Sequence, residues 1–228
     1  MPGDERLSRN ELLARLAEQI SSVRVDHPVR VAIDGPDAAG KTVLADELAD
    51  VMRAVGAEVI RASVDGFHRP RAQRYARGQD SPEGYYRDSF DNDALPATLL
   101  APPGPGGSRR YRPRCFDLAA DRPLHTEPAL ATEDAVLLFD GVFLLRPQLR
   151  AGWDFSVFVT AESDVILDRA RTRDAHLLGT PKAVEQRYRT RYIPGQQLYF
   201  AEARPEAIAD AVVDNDYPSA PKLRCTPA

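Results

Sequence analysis

Residues 29–42 read VRVAIDGPDAAGKT, and this stretch decides the fold. Val29, Val31 and Ile33 alternate along its first half, a period that predicts a buried strand. Its second half has the spacing Gly-x-x-x-x-Gly-Lys-Thr, and from Val43 onward the apolar residues fall on one face of a helix. Strand, glycine-framed loop and helix in this order predict a phosphate-binding P-loop.

The residue types in the loop suit a nucleotide. Glycines let the backbone wrap around an anion with no Cβ in the way, and N–H groups at the start of a helix attract phosphate. In this chemistry the lysine reaches the β- and γ-phosphates and the Thr hydroxyl ligates Mg²⁺. We therefore predict a nucleotide-binding loop made of Gly35, Asp37, Ala38, Ala39, Gly40, Lys41, Thr42 and Val43.

Length and composition predict one globular domain of 228 residues. A hydrophobic content of 43% is enough for a core, and the net charge of −4 favours no electrostatic binding of nucleic acid. The two cysteines form neither a disulfide framework nor a metal-ligand spacing. The longest apolar run, residues 135–145, is too short to span a membrane. We expect a cytoplasmic protein with no membrane or nucleic-acid partner.

Apolar patterns elsewhere predict strands that alternate with helices. An amphipathic helix over residues 7–23 begins at a Ser8-x-x-Glu11 capping box. The alternation predicts a three-layer α/β/α fold, a parallel sheet between helices, with ligands at the carboxyl ends of the strands. The other predicted strands are residues 57–63, 135–139, 155–159 and 208–213. The other predicted helices are residues 91–100, a helix from 163, and one from Thr180-Pro181 to about 203, with a break at Pro194-Gly195 left open. Residues 109–112 and 122–126 are expected to form a short hairpin.

Three acidic residues directly follow predicted strands: Asp34, Asp65 and Asp140. Because the carboxyl ends of parallel strands meet at one edge of a sheet, they can converge on one site. Asp140 suits the acid that holds Mg²⁺, together with Thr42. Asp65 would accept or orient the proton of an attacking hydroxyl. The alternative is that these residues cap turns, and it is strongest for Asp34.

Four stretches resemble the uridine kinase and phosphoribulokinase-like group of P-loop kinases, over about residues 28–215. SVDGFHR at residues 63–69 is similar to the family's Ser-x-Asp-Ser-Phe-Tyr-Arg, which carries its catalytic Asp. DSFDN at residues 88–92 is similar to Asp-Ala-Phe-Asp-Asn. LFDGV at residues 138–142 resembles Leu-Phe-Glu-Gly-Ile, whose acid serves the metal, and RARTRD at residues 169–174 resembles the lid helix.

The resemblance implies a P-loop NTPase fold with a five-stranded parallel sheet, formed by a single domain over residues 1–228. An N-terminal helix within residues 1–27, a substrate-side insert over residues 66–128 and a helical lid over residues 163–180 complete it. The resemblance also implies ATP and Mg²⁺ as cofactors and phosphate transfer from ATP to a hydroxyl. Lys41 and Asp65 would act at the reaction, while Arg169 and Arg173 would close over the transferring charge.

The chain departs from the family mainly on the substrate side. His68 stands where the family has a Tyr, Tyr85 stands where it has the acid used on the ribose, and Phe116 replaces a base-contacting His. Packing without a functional role is the alternative for every residue of this group. The candidate substrate-binding residues are His68, Tyr85, Tyr86, Asp88, Tyr111, Phe116 and Arg191.

The expected substrate is a small molecule with a hydroxyl acceptor, first the 5′-hydroxyl of a pyrimidine nucleoside. A sugar, a pantothenate-like compound or a natural-product alcohol is the alternative, and the departures favour it over uridine and cytidine. A nucleotide-hydrolysing switch or assembly module is a third hypothesis. The chain has no Asn/Thr-Lys-x-Asp motif for guanine, and that hypothesis explains neither Asp65 nor the insert. A homo-oligomer stays open.

Overall fold

The computed structural model describes residues 5–225. Residues 1–4 of the predicted N-terminal segment and residues 226–228 therefore lie outside the described part. The strands are β1 (Glu5–Arg6), β2 (Val29–Asp34), β3 (Val59–Ser63), β4 (Arg110–Tyr111), β5 (Phe116–Asp117), β6 (Arg122–Pro123), β7 (Ala129–Leu130), β8 (Val136–Asp140), β9 (Phe155–Thr160), β10 (Ala211–Asp214) and β11 (Lys222–Cys225).

The α-helices are α1 (Arg9–Ser22), α2 (Lys41–Ala54), α3 (Arg71–Arg74), α4 (Pro82–Asp88), α5 (Ser163–Arg173), α6 (Ala175–Leu178), α7 (Pro181–Arg187), α8 (Ile193–Ala203) and α9 (Pro205–Ile208). Two π-helical turns cover Pro96–Leu100 and Tyr188–Tyr192, and two 3₁₀ turns cover Val64–Phe67 and Arg150–Gly152.

The central sheet has the strand order β1-β11-β10-β9-β2-β8-β3. The five strands from β10 to β3 run parallel, which confirms the predicted parallel core. The prediction was incomplete at one edge, where β11 pairs antiparallel with β10 and β1 pairs antiparallel with β11. These two strands are short and rich in charged residues, so they carry no apolar run; such strands protect a sheet edge from further pairing.

The sheet is buried on both faces, which explains the nearly continuous apolar sequence of its strands. Val31 and Ile33 of β2 pack with Leu138 on the face covered by α1 and α2. Ala32 and Phe139 point to the other face, where they pack with residues of α4, α8 and the insert. Two hydrophobic cores result, one on each side of the sheet.

The N-terminal helix forms as predicted. Ser8 and Glu11 make the reciprocal hydrogen bonds of a capping box, and the buried stripe of α1 includes Leu12, Leu16 and Ile20. This stripe packs with Leu44 and Leu48 of α2 in the same core. The helix is therefore part of the domain rather than an appendage.

The predicted hairpin between residues 109–112 and 122–126 is wrong. β4 pairs with β7, and β6 pairs with the nearer β5. The cause is a local turn, because the Asp117 carboxylate accepts hydrogen bonds from the N–H groups of Ala119 and Ala120. This capped turn brings Arg122 back beside Asp117 before it can reach residue 112.

The two predicted helices that contain proline both adapt through a π-helical turn. Thr180 caps α7 and Pro181 opens it, as predicted. No break occurs at Pro194, because the turn Tyr188–Tyr192 widens the helix and the Ile193 N–H bonds to the Tyr188 carbonyl five residues back. The predicted helix over 91–100 likewise ends in the turn Pro96–Leu100.

Among residues 5–225, no helix has the length and apolar character needed to cross a bilayer.

Leucine-to-alanine changes at buried and exposed helical positions test the core. Leu48 of α2 is fully buried, whereas Leu198 of α8 is 41% exposed. We expect Leu48→Ala to lower the free energy of unfolding by about 2–5 kcal/mol because it leaves a cavity. Leu198→Ala should change it by less than about 0.5 kcal/mol. Urea denaturation measures both, and equal losses would contradict the assignment of this core.

Candidate active site

The P-loop joins β2 to α2 and lies against the neighbouring strand β9. The backbone takes positive φ angles at Gly35 (+146°), Ala38 (+60°) and Gly40 (+99°). A Cβ on Gly35 would lie 2.0 Å from the carbonyl oxygen of Val159, so only glycine permits this close approach. The closeness of β9 therefore requires a glycine where the turn begins.

The loop and the start of α2 can hold an anion. N–H groups in the first turn of a helix have no carbonyl partner within that helix, and here they belong to residues just after Gly40. Lys41 is buried, and its Nζ donates to the Pro36 carbonyl at 2.6 Å, so the side chain folds back over the loop. Burial lowers the pKa of Lys41, while the carboxylates of Asp37 and Asp34 oppose that shift.

The predicted metal residues are in contact. Thr42 Oγ1 donates to Asp140 Oδ2 at 2.6 Å, and Asp140 is buried at the end of β8. Arg61 of β3 donates to Asp140 Oδ1 at 3.0 Å, a contact that the sequence analysis missed. No group of three metal-ligating side chains occurs within residues 5–225. One hydroxyl and one carboxylate suit Mg²⁺, which takes its remaining ligands from water and substrate phosphates.

Asp34 does not join these residues. Its carboxylate accepts hydrogen bonds from the N–H groups of Gly35 at 2.8 Å and Leu145 at 3.2 Å, and from the Tyr199 hydroxyl. It is fully buried, and burial raises its pKa. Asp34 therefore supports the turn, which matches the alternative interpretation from the sequence.

A cavity of about 500 Å³ opens on one side of the P-loop, at the carboxyl ends of β3 and β8. Among the predicted site residues that it brings together are Lys41, Asp65, Tyr85 and Asp140, which come from four different parts of the chain. Its other lining residues include Asp37, Thr42, His68, Phe90, Leu118, Arg173, Asp174, Leu177, Tyr188 and Tyr192.

Asp65 lies at the mouth of this cavity. Its side chain is 73% exposed, and a hydrogen bond from its N–H to Ser63 Oγ holds the 3₁₀ turn after β3. The cavity walls partly desolvate the carboxylate and raise its pKa, and the carboxylates of Asp37 and Asp140 add to this. His68 lies beside it, and its ring is tilted by 56° against the ring of Phe90 at a centre-to-centre distance of 4.6 Å. Burial lowers the His68 pKa.

A second cavity of about 510 Å³ lies on the other side of Lys41 and Thr42. Arg169 lines it and donates to the carbonyl of Asn215 at 2.7 Å. The remaining lining residues are Arg9, Ala38, Gly40, Val43, Arg173, Asn215 and Pro218. Lys41, Thr42 and Arg173 line both cavities, so these residues form the wall between them.

Arg173 of α5 is anchored in this wall. Its Nε and Nη2 donate to the two oxygens of Asp174 at 2.6 and 3.0 Å, and Nη2 lies 3.1 Å from the Tyr188 hydroxyl. The hydrogen bond with Asp174 raises the Arg173 pKa, so the side chain stays charged. The chain thus brings both predicted lid arginines to the P-loop.

Five of the seven predicted substrate residues do not line the cavity. Tyr86 is buried under Arg146, whose guanidinium lies 4.8 Å from its ring centre. Asp88 pairs with Arg77 at 2.7 Å outside the cavity. Tyr85 lines the cavity from the same helix α4, and Tyr86, one position further along, lies on a different face of it.

Three residues complete this correction. Tyr111 packs on the core, and Phe116 is buried within β5. Arg191 is buried, and its Nη1 donates to the carbonyls of Gln79 at 2.9 Å and Ser81 at 3.1 Å. It ties the insert to the π-helical turn instead of facing a ligand.

The cavity also contains residues that the sequence analysis missed. Tyr188 and Tyr192 are four positions apart, so they share one helix face, and this spacing could have identified them. Leu118 and Phe90 come from the insert, where no regular period exists. Asp37 was predicted only as part of the nucleotide loop, yet it lines this cavity of about 500 Å³.

The fold, a P-loop beside a core of five parallel strands, is shared by solved structures of kinases. The chain matches no protein-family model and no curated protein.

Three of the solved structures with this fold come from different organisms. One is a possible uridine kinase from Bacillus stearothermophilus, with 22% identity, 89% of this chain and 97% of that chain covered, and a TM-score of 0.69. Another is a candidate fructose transport system kinase from Silicibacter sp. TM1040, with 23% identity, coverage of 86% and 96%, and a TM-score of 0.67. A D-glycerate 3-kinase from Cryptococcus neoformans var. grubii has 14% identity, coverage of 90% and 93%, and a TM-score of 0.58. At these identities the similarity establishes the shared fold.

Two glycines with positive φ test the loop geometry. A Cβ on Gly40 would lie 2.5 Å from Asn215 Nδ2, whereas a Cβ on Gly56 meets nothing within 4 Å. Both Gly→Ala changes should cost about 1–2 kcal/mol of stability from backbone strain. Only Gly40→Ala should weaken ATP binding, by about tenfold. Thermal unfolding and titration calorimetry measure the two effects, and equal ATP affinities would refute this role of Gly40.

Proposed function

We propose that this protein is an ATP- and Mg²⁺-dependent kinase that transfers the γ-phosphoryl group to a hydroxyl of a small molecule. The observation that carries the proposal is the wall between the two cavities. Lys41, Thr42 and Arg173 line both of them. A nucleotide on one side and an acceptor on the other would meet at these residues, which is the geometry that phosphoryl transfer needs.

Each residue of the wall has a role in this reaction. The N–H groups of residues 40–43 would bind the phosphates, and Lys41 would stabilise the charge on the transferred group. Thr42 and Asp140 would hold Mg²⁺, which neutralises charge on the β- and γ-phosphates when bound. Arg173 and Arg169 would supply further positive charge from the lid.

Asp65 would act on the acceptor. The acceptor oxygen attacks the γ-phosphorus, the bond between that phosphorus and the β,γ-bridging oxygen breaks, and ADP leaves. The proton of the hydroxyl passes to the Asp65 carboxylate. A raised pKa makes this carboxylate a stronger base than an ordinary aspartate.

The acceptor-side cavity favours a kinase over a hydrolysing switch or assembly module. A switch needs a water molecule but no cavity of about 500 Å³ beside its phosphate loop. The acceptor would be a nucleoside, as in a uridine kinase, or another metabolite alcohol. A screen of ADP release against nucleosides, sugars and other alcohols tests the proposal, and release that no acceptor stimulates would favour the switch.

Lysine-to-methionine changes test the P-loop. Lys41→Met keeps most of the buried volume and removes the charge, so we expect transfer to fall by about 100-fold or more. The control is Lys182→Met, because Lys182 is exposed on α7, and its activity should stay within about twofold of wild type. Acceptor-dependent ADP release measures both. Near-normal transfer by a folded Lys41→Met protein would remove the P-loop from the mechanism.

The pH dependence tests Asp65. Since the base must be deprotonated and its pKa is raised, kcat/KM should rise with pH through a midpoint above the ordinary value of about 3.9. Asp65→Asn should remove this acidic limb and reduce kcat by about 100- to 10,000-fold.

His68→Gln is the control for the second group that titrates nearby. It should keep the acidic limb, because His68 is not the base. Loss of the limb in His68→Gln but not in Asp65→Asn would assign the base to the histidine.

A further inference from the structure

Asp37 belongs to the P-loop and also lines the acceptor-side cavity of about 500 Å³. The Tyr85 hydroxyl donates to Asp37 Oδ2 at 2.6 Å, and Gln196 Nε2 donates to the same oxygen at 2.7 Å. Within residues 5–225, the Asp37 carboxylate accepts both of its side-chain hydrogen bonds at Oδ2. Oδ1 therefore keeps its lone pairs for a ligand.

The two donors hold this carboxylate in place from two helices. Tyr85 of α4 is buried between Phe143 and Tyr192, at ring distances of 5.0 and 4.8 Å. Burial raises the Tyr85 pKa, so its hydroxyl remains protonated and remains a donor. Gln196 of α8 is 4% exposed. A carboxylate with one oxygen bound twice and the other open is a preorganised hydrogen-bond acceptor.

The charges in the cavity select against an anionic acceptor. Asp37, Asp65 and Asp140 line it, and the cations among the lining residues are Lys41 and Arg173. Both cations also line the second cavity, and Arg173 is paired with Asp174. Burial lowers the pKa of His68, which favours its neutral form. A carboxylate on the substrate would therefore be repelled by these aspartates. No cation in the cavity is reserved for pairing with it.

Part of the remaining wall is apolar or aromatic. It includes Phe90, Leu118 and Tyr192. Such a surface suits the ring face of a base or sugar. The cavity thus combines an apolar wall with two open carboxylate positions, at Asp37 and Asp65.

We propose that the acceptor is a neutral polyhydroxy compound with an apolar face, and that Asp37 is a specificity-determining residue. One hydroxyl lies at Asp65 for phosphorylation, and a second donates a hydrogen bond to Asp37 Oδ1. Tyr85 acts as a positioning residue that orients Asp37. The inference rests on the proposed kinase function, because it describes the acceptor of that reaction.

Equilibrium binding tests the inference separately from catalysis. Wild-type protein loaded with Mg²⁺ and a non-hydrolysable ATP analogue is titrated with uridine, adenosine, D-fructose and D-glycerate. The polyol that binds best is compared with its analogue that lacks the second hydroxyl. We expect a neutral polyol to bind more tightly than D-glycerate and its deoxy analogue to bind about 10- to 100-fold more weakly, the range for a hydrogen bond to a charged group.

Variants then assign this discrimination to Asp37. Asp37→Ala should bind the polyol about 10- to 100-fold more weakly and should no longer distinguish it from the deoxy analogue. Because Asp37 also belongs to the P-loop, the ATP analogue is titrated in parallel, and its loss of affinity should be smaller than that of the polyol. Tyr85→Phe should produce a smaller loss, since it frees Asp37 but keeps the ring. Asp88→Ala is the matched control, because Asp88 pairs with Arg77 away from the cavity.

Several results would overturn the inference. They are tighter binding of D-glycerate than of every polyol, no polyol binding by the nucleotide-loaded protein, and full discrimination retained in Asp37→Ala. An equal loss of nucleotide and polyol affinity in that variant would also count against it. Transfer measured in parallel separates the two proposals. Polyol binding through Asp37 without transfer would refute the kinase alone, whereas equal transfer by Asp37→Ala would refute the role of Asp37 alone.

Discussion

The contact between Gly35 and the carbonyl of Val159 is the constraint on which the rest of the structure depends. A Cβ there would lie 2.0 Å from that oxygen, so the chain must leave β2 at a glycine, directly against β9. The turn is held from the other side by Asp34, whose carboxylate binds the Gly35 N–H. These two contacts set the start of α2, and with it the positions of Lys41 and Thr42 relative to β8.

Hydrogen bonds from distant segments connect the P-loop to both sides of the site. Asn215, after β10, donates to the Ala39 carbonyl at 2.7 Å on the side of the second cavity. Tyr85 and Gln196 donate to Asp37 on the side of the first cavity. The two cavities therefore share a loop whose conformation the whole domain supports. A rigid loop of this kind suits electrostatic catalysis, because its charges need no reorganisation during the reaction.

A carboxylate in the first cavity comes from a different segment of this chain than the family resemblance implies. In the family that this sequence resembles, the position of Tyr85 holds the acid used on the ribose. In the structure the Tyr85 hydroxyl meets Asp37, so a carboxylate stands in the cavity after all, supplied by the P-loop. The position of this carboxylate follows from a contact between two segments that are distant in sequence.

The sequence by itself determined the parallel core, the P-loop, the capping box of α1 and the approach of Thr42 to Asp140, because each follows from local spacing or from the position of a residue at a strand end. Only the tertiary structure decided the edge strands β1 and β11, the pairing within the insert, and the burial of Tyr86, Phe116 and Arg191. Neighbouring residues such as Tyr85 and Tyr86 have similar chemistry, and the packing of their helix determines which of them faces the cavity. Contacts across the chain, such as Asp37 with Gln196, join residues too far apart in sequence for any periodic pattern to relate them.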